Sequence, residues 1–362
     1  MNRYLEVLNG QKAYNDIDFK FNCVSLFSGG GGLDLGLAWA GFKTKAFCEL
    51  EAPLCETLKN NFTNAYIINE DITKVTKEDI LKGFNENESV DLVAGGSPCQ
   101  SFSILGQRGS INDPRGQLVY EYVRIVKELK PKAFLFENVP GLLTVNGGED
   151  WNNLLNYFKE ETNYQISYQV LNSADYGVPQ QRKRVIVLGF NKEIIIDEDQ
   201  QIHPSPTHQN MDVEESATLF DIPNGNLDPW IPSKFALEFL EGTKNNRKRV
   251  HGERVRNRYL TVPQGERDSV DRTDRIHPER PSGTVLVGSK SGGGRPFIHP
   301  YEPRHITIRE ASRLQSFPDS FEFFGPETWQ YRAVGNAVPP LMAKAIGSSI
   351  ADILSKSLLL NN

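Results

Sequence analysis

From residue 22 onward the chain repeatedly changes period: a short β-branched or aromatic run, a turn, then a stretch whose apolar residues fall three and four apart. Few folds are open to such a chain, because strands separated by helix-length crossovers lie parallel and need helices to cover them. The runs are CVSLF, KTKAFCE, AYII, SVDLVAG and KAFLFEN, with GLDLGLAWAG and APLCETLKNNF among the helical stretches. The pattern predicts an α/β fold, an open and mostly parallel sheet with helices on both faces. At 362 residues and 38% hydrophobic content, one large domain and a smaller one are expected. In such sheets ligands sit outside the carboxyl ends of the strands, so the residues just after each run are the ones to read for chemistry.

After the first run comes FSGGGGLDLG, a glycine turn that lets a ligand approach the backbone at a helix start. The dinucleotide pattern G-x-G-x-x-G fails there, since its third glycine falls on Asp34 counted from Gly29 and on Leu35 counted from Gly30. A nicotinamide cofactor is therefore disfavoured. Glu49 closes the second run, about 20 residues after the glycines, where a carboxylate accepts hydrogen bonds from ribose hydroxyls. Asp71 closes the third. Each acid alone reads as a surface or capping residue, but together with the glycine turn they outline a nucleoside pocket able to hold S-adenosylmethionine. The fourth run ends at GGSPCQSFS, which sets Cys99 on a loop, and KAFLFEN delivers Glu137 and Asn138 at the next strand end. A loop thiol has chemistry if it ionises within reach of an electrophile. Arg182 and Arg184, two apart at the start of a further run, fall on one face and suit a carbonyl oxygen or a phosphate.

The four cysteines form no C-x-x-C pair and have no paired histidines at metal spacing, so free thiols and no metal site are expected. The N-terminal residues lack a signal-peptide core, and no segment approaches the roughly 20 apolar residues of a membrane span. A cytoplasmic protein with no membrane association is the expectation. The net charge of −6 is unevenly placed: residues 227–304 carry 15 Lys and Arg against 10 Asp and Glu, the remainder 25 against 36. Within that segment KNNRKRVHGERVRNR, residues 244–258, holds seven basic residues and one acid, a cluster suited to phosphates or, on the plainer reading, a solvated loop. Further on, RPSGTVLVGSKSGGG reads as a strand and a glycine-rich loop leading back to the sheet, and PPLMAKAIGSSIADIL has helical spacing.

The ordered set LFSGGGGLDLGL, Glu49, Asp71, GGSPCQSFS, ENV, QQRKRV, RHITIREASRLQSFPDSF and VGNAVPP resembles the DNA (cytosine-5)-methyltransferase family of prokaryotic type. The likeness covers nearly all of the chain outside residues 1–20 and roughly 191–300. It implies a Rossmann-like S-adenosylmethionine-dependent methyltransferase fold. The divisions expected are an N-terminal extension (1–20), a catalytic domain (21–195), a connector (196–226), a target-recognition region (227–304) and a C-terminal return (305–362). By the same resemblance Cys99 adds to C6 of a flipped cytosine and raises electron density at C5. Glu137 contacts N3 and the exocyclic amine, Asn138 fixes the loop, and Arg184, with Arg182 close by, contacts the base carbonyl. Phe27, Gly29, Gly30, Gly32, Glu49, Asp71, Ile72, Pro98, Leu118, Asn336 and Val338 are implied for the donor pocket. Gln100, Ser103, Arg115, Arg247, Lys248, Arg249, Arg254 and Arg256 are the expected DNA contacts. Double-stranded DNA is the implied partner. The protein would serve beside a cognate restriction endonuclease in a restriction-modification system, or alone as a solitary methylase, and is expected to be a monomer. Two other readings stay open at this point, a methyltransferase for tRNA cytosine and a catalytically silent DNA-binding regulator.

Overall fold

The computed structural model describes residues 2–97, 117–196, 199–211, 227–286 and 297–360. The chain opens with α1 (Arg3–Asn9), β1 (Phe21–Leu26), α2 (Gly32–Trp39), β2 (Phe42–Cys48), α3 (Ala52–Asn61) and β3 (Tyr66–Ile68). It continues through α4 (Lys77–Leu81), β4 (Leu92–Gly95), α5 (Gln117–Leu129), β5 (Ala133–Asn138), α6 (Glu149–Glu161), β6 (Tyr164–Asn172) and β7 (Lys183–Asn191). These strands form one sheet in the order β3-β2-β1-β4-β5-β7-β6. Strands β1 to β5 pair in parallel, and β7 is antiparallel to both of its neighbours. That reversal places the start of β7 beside the end of β5, with Asn138 opposite Val185.

Each of the five expected runs of the first half is a strand, and the central ones are apolar without alternation because both faces are covered. On one face Val119, Tyr122 and Val126 of α5 and Leu154 and Phe158 of α6 pack on Val24, Val93, Phe134 and Val187. On the other, Leu33 and Leu37 of α2 pack with Met342, Ile346 and Ile350 on Cys23, Leu92, Leu135, Ile186 and Leu188.

Beyond the sheet come β8 (His208–Gln209) and β9 (Asp228–Pro229), then α7 (Glu253–Thr261), α8 (Ile308–Leu314), α9 (Glu327–Asn336) and α10 (Pro340–Leu360). Helix α10 supplies Met342, Ile346 and Ile350 and so returns the C-terminal end to the sheet, as its helical spacing predicts. Helix α1 lies in the segment expected only as an extension, yet it is packed on the body of the protein. Tyr4, Leu5 and Leu8 are buried, the Asn2 side chain caps the helix by accepting from the Leu5 N–H, and the Tyr4 hydroxyl donates to the Arg313 carbonyl. The strand expected at RPSGTVLVGSKSGGG does not form over its described part, where residues 281–286 make a single bridge from Ser282 to Gln180. The Val285 N–H donates to the Gln180 side chain at 2.8 Å instead of to a ladder. Residues 287–296 lie outside the described residues. Among the described residues no single helix is long and apolar enough to cross a membrane.

Candidate active site at the strand ends

The sheet order reverses between β1 and β4, which are neighbours in space but not in sequence. A crevice at such a reversal is where open α/β sheets bind ligands. On its β1 side the Glu49 carboxylate is 8% exposed and accepts from the Gly29 N–H at 2.7 Å and the Glu51 N–H at 2.9 Å. Burial pushes its pKa up, and the two amides pull the other way. Each oxygen keeps a second lone pair for a ligand hydroxyl. Asp71 caps the turn Ile72–Lys74, its Oδ1 accepting from the Thr73 N–H and hydroxyl at 3.0 and 2.8 Å, which hold its carboxyl below the usual range.

Other expected donor residues gather around these acids. Phe27, half-buried, sits in the left-handed region at φ 54°, a conformation that costs a non-glycine residue energy and recurs at binding sites. A Cβ on Gly32 would lie 2.7 Å from the Val338 carbonyl and 2.8 Å from the Ala337 Cβ, so glycine lets the α9–α10 junction close over the turn. Gly30 lies against Ala333, Val338 is buried, and Asn336 is exposed at the end of α9. Ile72 is buried in the core, and Leu118 packs at its margin. A buried carboxylate, backbone amides and a close glycine turn fit a nucleoside-bearing cofactor.

On the β4–β5 side, Glu137 forms an ion pair with Arg184, Oε1 to Nε at 2.8 Å. Gly96 makes room for it, since a Cβ there would fall 2.7 Å from Glu137 Oε2. The Asn138 amide donates to the Ser97 carbonyl at 3.0 Å and so fixes the peptide preceding residue 98. Arg182 is 2% exposed and its Nε has no hydrogen-bond partner among the described residues. Burial, with Arg184 adding to it and Glu137 opposing, pulls its pKa down to about 9, which leaves a cation at neutral pH. Pro98, Cys99, Gln100, Ser103 and Arg115 lie outside the described residues. Burial pushes the thiols of Cys48 and Cys55 up to about 12, where little thiolate forms at neutral pH.

A set of amide side chains joins these elements, and none of them is among the residues expected from the sequence. Asn69 donates to the carbonyls of Glu49 and Leu50 at 3.0 and 2.8 Å, tying the two acid-bearing loops together. Gln180 donates to Gln315 Oε1 at 2.7 Å, and Gln315 donates to the Val334 carbonyl at 2.7 Å, linking the approach to β7 with α8 and α9. Gln180 stands two residues before Arg182, so its place in QQRKR is the available signal.

Of the expected DNA contacts, Arg247, Arg249, Arg254 and Arg256 are exposed and form no ion pair among the described residues. Lys248 is exposed but engaged with Glu302 at 2.9 Å. Arg258, from the same cluster, is turned inward onto Asp268 and Asp271. The base of this strap is fixed by Asn245, which donates to the Phe323 carbonyl at 2.8 Å and accepts from the Phe323 N–H at 3.0 Å.

Residues 21–352 match the family model described as C-5 cytosine-specific DNA methylase. The chain is 33% identical to the type II methyltransferase M.XorII of Xanthomonas oryzae pv. oryzae, covering 92% of this chain and 85% of that protein. It is 34% identical to the type II methyltransferase M1.HphI of Haemophilus parahaemolyticus, covering 90% and 86%. A solved structure of a putative prophage-encoded DNA modification methyltransferase from E. coli matches with a TM-score of 0.71 at 27% identity, covering 93% of this chain and 100% of that one.

Proposed function

The chain belongs to the C-5 cytosine-specific DNA methylase family, and from that premise we propose how its strand ends carry out the reaction. It is a DNA (cytosine-5)-methyltransferase that uses S-adenosylmethionine. When bound, that cofactor supplies a methyl group on a sulfonium. Glu49 and Asp71, with the turn at Gly29–Gly32 and the junction at Asn336–Val338, would hold it.

C5 of cytosine is a poor nucleophile, and addition of the Cys99 thiolate at C6 turns the ring into an enamine with electron density at C5. Glu137 contacts N3 and the exocyclic amine, and Arg184 reaches the base carbonyl while orienting Glu137. Arg182 adds positive charge beside them, and Asn138 holds the peptide leading to Cys99. After methyl transfer the C5 proton leaves and the Cys99–C6 bond breaks. Approach to both ring faces requires the base to leave the stack. Residues 227–304 act as the target-recognition region, with Arg247, Arg249, Arg254 and Arg256 on phosphates.

The observation that carries the reading is the Glu137–Arg184 pair at the strand end next to the Ser97 peptide held by Asn138. DNA containing 5-fluorocytosine tests it, because fluorine does not leave as a proton does. In the presence of the donor the protein should be trapped on the DNA through Cys99, and Cys99→Ser should abolish both trapping and methyl transfer. An adduct on another residue, or transfer by Cys99→Ser near the wild-type rate, would overturn the assignment. Labelled-methyl transfer to tRNA but not to duplex DNA would overturn the DNA substrate.

A further inference from the structure

The loop after β3 leaves the edge of the sheet and is anchored by the Asn69 side chain and by the buried side chains of Ile72 and Val75. Strand β3 is three residues long, lies at the sheet edge and pairs only with β2. The single turn Ile72–Lys74 follows, and Arg124 of α5 reaches across to it. Its Nη2 donates to the carbonyls of Ile72 at 3.1 Å and Val75 at 2.9 Å. Its Nε donates to Glu121 at 2.7 Å, and its Nη1 to both oxygens of Glu128 at 3.1 Å. The guanidinium is a rigid planar fork, so two carboxylates on its own helix fix its plane and aim the remaining donors at the loop. The side chain is 31% exposed, partly shielded from the solvent that weakens surface pairs.

We propose that Arg124 is a positioning residue of the methyl-donor site. By gripping the carbonyls of Ile72 and Val75 it sets where Asp71 and Ile72 meet the donor's nucleoside. The inference rests on the assignment of those two residues to the donor pocket.

Arg124→Met and Arg124→Lys in the full chain test it, with donor affinity from calorimetry and KM for the donor and kcat from steady-state transfer to duplex DNA. In Arg124→Met the donor Kd and KM should rise about tenfold, the order expected for a charge-assisted hydrogen bond, while kcat at saturating donor stays within about twofold. Arg124→Lys keeps the charge without the fork and should fall between wild type and Arg124→Met. Hydrogen exchange of residues 70–76 should quicken in Arg124→Met. A fall in kcat with unchanged donor KM, or no change in either, would overturn the proposal. Should Arg124→Met fail to fold, Glu128→Gln gives the same KM-against-kcat split on a smaller scale. Glu49→Ala and Asp71→Ala separate the two layers: if neither weakens donor binding the pocket assignment fails, and if both do while the Arg124 variants do not, only this inference fails.

Discussion

Among the described residues, β1 to β7 are joined by strand ladders, whereas between residues 227 and 304 the backbone outside α7 makes only short bridges and turns, and long side chains reinforce them by gripping distant carbonyls. Arg275 donates to the carbonyls of Tyr259, Val262 and Pro300, and Arg304 pairs with Glu302 and Glu310. From α8, Arg309 donates to the carbonyls of Lys244, Pro318 and Phe321, and Arg313 to those of Glu238 and Phe239. A ladder is specified by local period, while an irregular segment held this way depends on a few long side chains placed far away in sequence. The two regions should therefore respond differently to single substitutions.

The strongest response is expected at Arg309, which is fully buried. Arg309→Met leaves three carbonyls without their donor and should cost roughly 3 to 5 kcal/mol in chemical denaturation. Ile186→Val, in the fully buried part of β7, should cost about 1 kcal/mol. Equal costs would erase the distinction between ladder and strap.

A pH effect separates the sheet region further. Asp34 is fully buried on α2 and accepts from Thr44 at 3.2 Å, and burial pushes its carboxyl up to about 6. A raised folded pKa means that the unfolded chain releases the proton first, so stability is lost as pH rises from about 4 through about 6. Over that window the stability of wild type relative to Asp34→Asn should fall by about 3 kcal/mol. His203, which burial pulls down to about 4, acts in the opposite direction in both proteins, so the difference isolates Asp34. A flat difference would contradict the placement of Asp34.

The weakest response is expected on the exposed strap. Arg247→Ala with Arg249→Ala should weaken binding to all duplexes and reduce the salt slope by about 0.9 for each phosphate no longer neutralised. Lys248→Ala should do less, because Lys248 is paired with Glu302. An unchanged slope with altered sequence preference would assign these arginines to bases instead.

The sheet, its helices and the order of Glu49, Asp71, Glu137 and Arg184 are legible in the sequence because each follows or opens a periodic run at one edge of the sheet. Helix α1 carries Tyr4, Leu5 and Leu8 at helical spacing, but seven residues give a weak periodic signal. The Glu137–Arg184 pair joins neighbouring strands whose antiparallel register the sequence does not state. Asn69 and Arg309 act largely through carbonyls, and any residue's carbonyl can accept, so no sequence pattern marks their partners, while Gln180 meets a side chain and a backbone N–H more than 100 residues away. The division of the cluster into exposed Arg247 and Arg249 and engaged Lys248 and Arg258 likewise depends on acids 10 to 54 residues away.

Whether these strand ends methylate cytosine in duplex DNA is read out by bisulfite sequencing of plasmid DNA from a host without cytosine methylation that expresses the full chain, with Glu137→Gln in parallel. Wild type should protect cytosine at one position of a short recurring sequence, and Glu137→Gln should leave that position converted. Complete conversion with folded, donor-binding wild type, or equal protection by Glu137→Gln, would contradict the roles given to Glu137 and its neighbours.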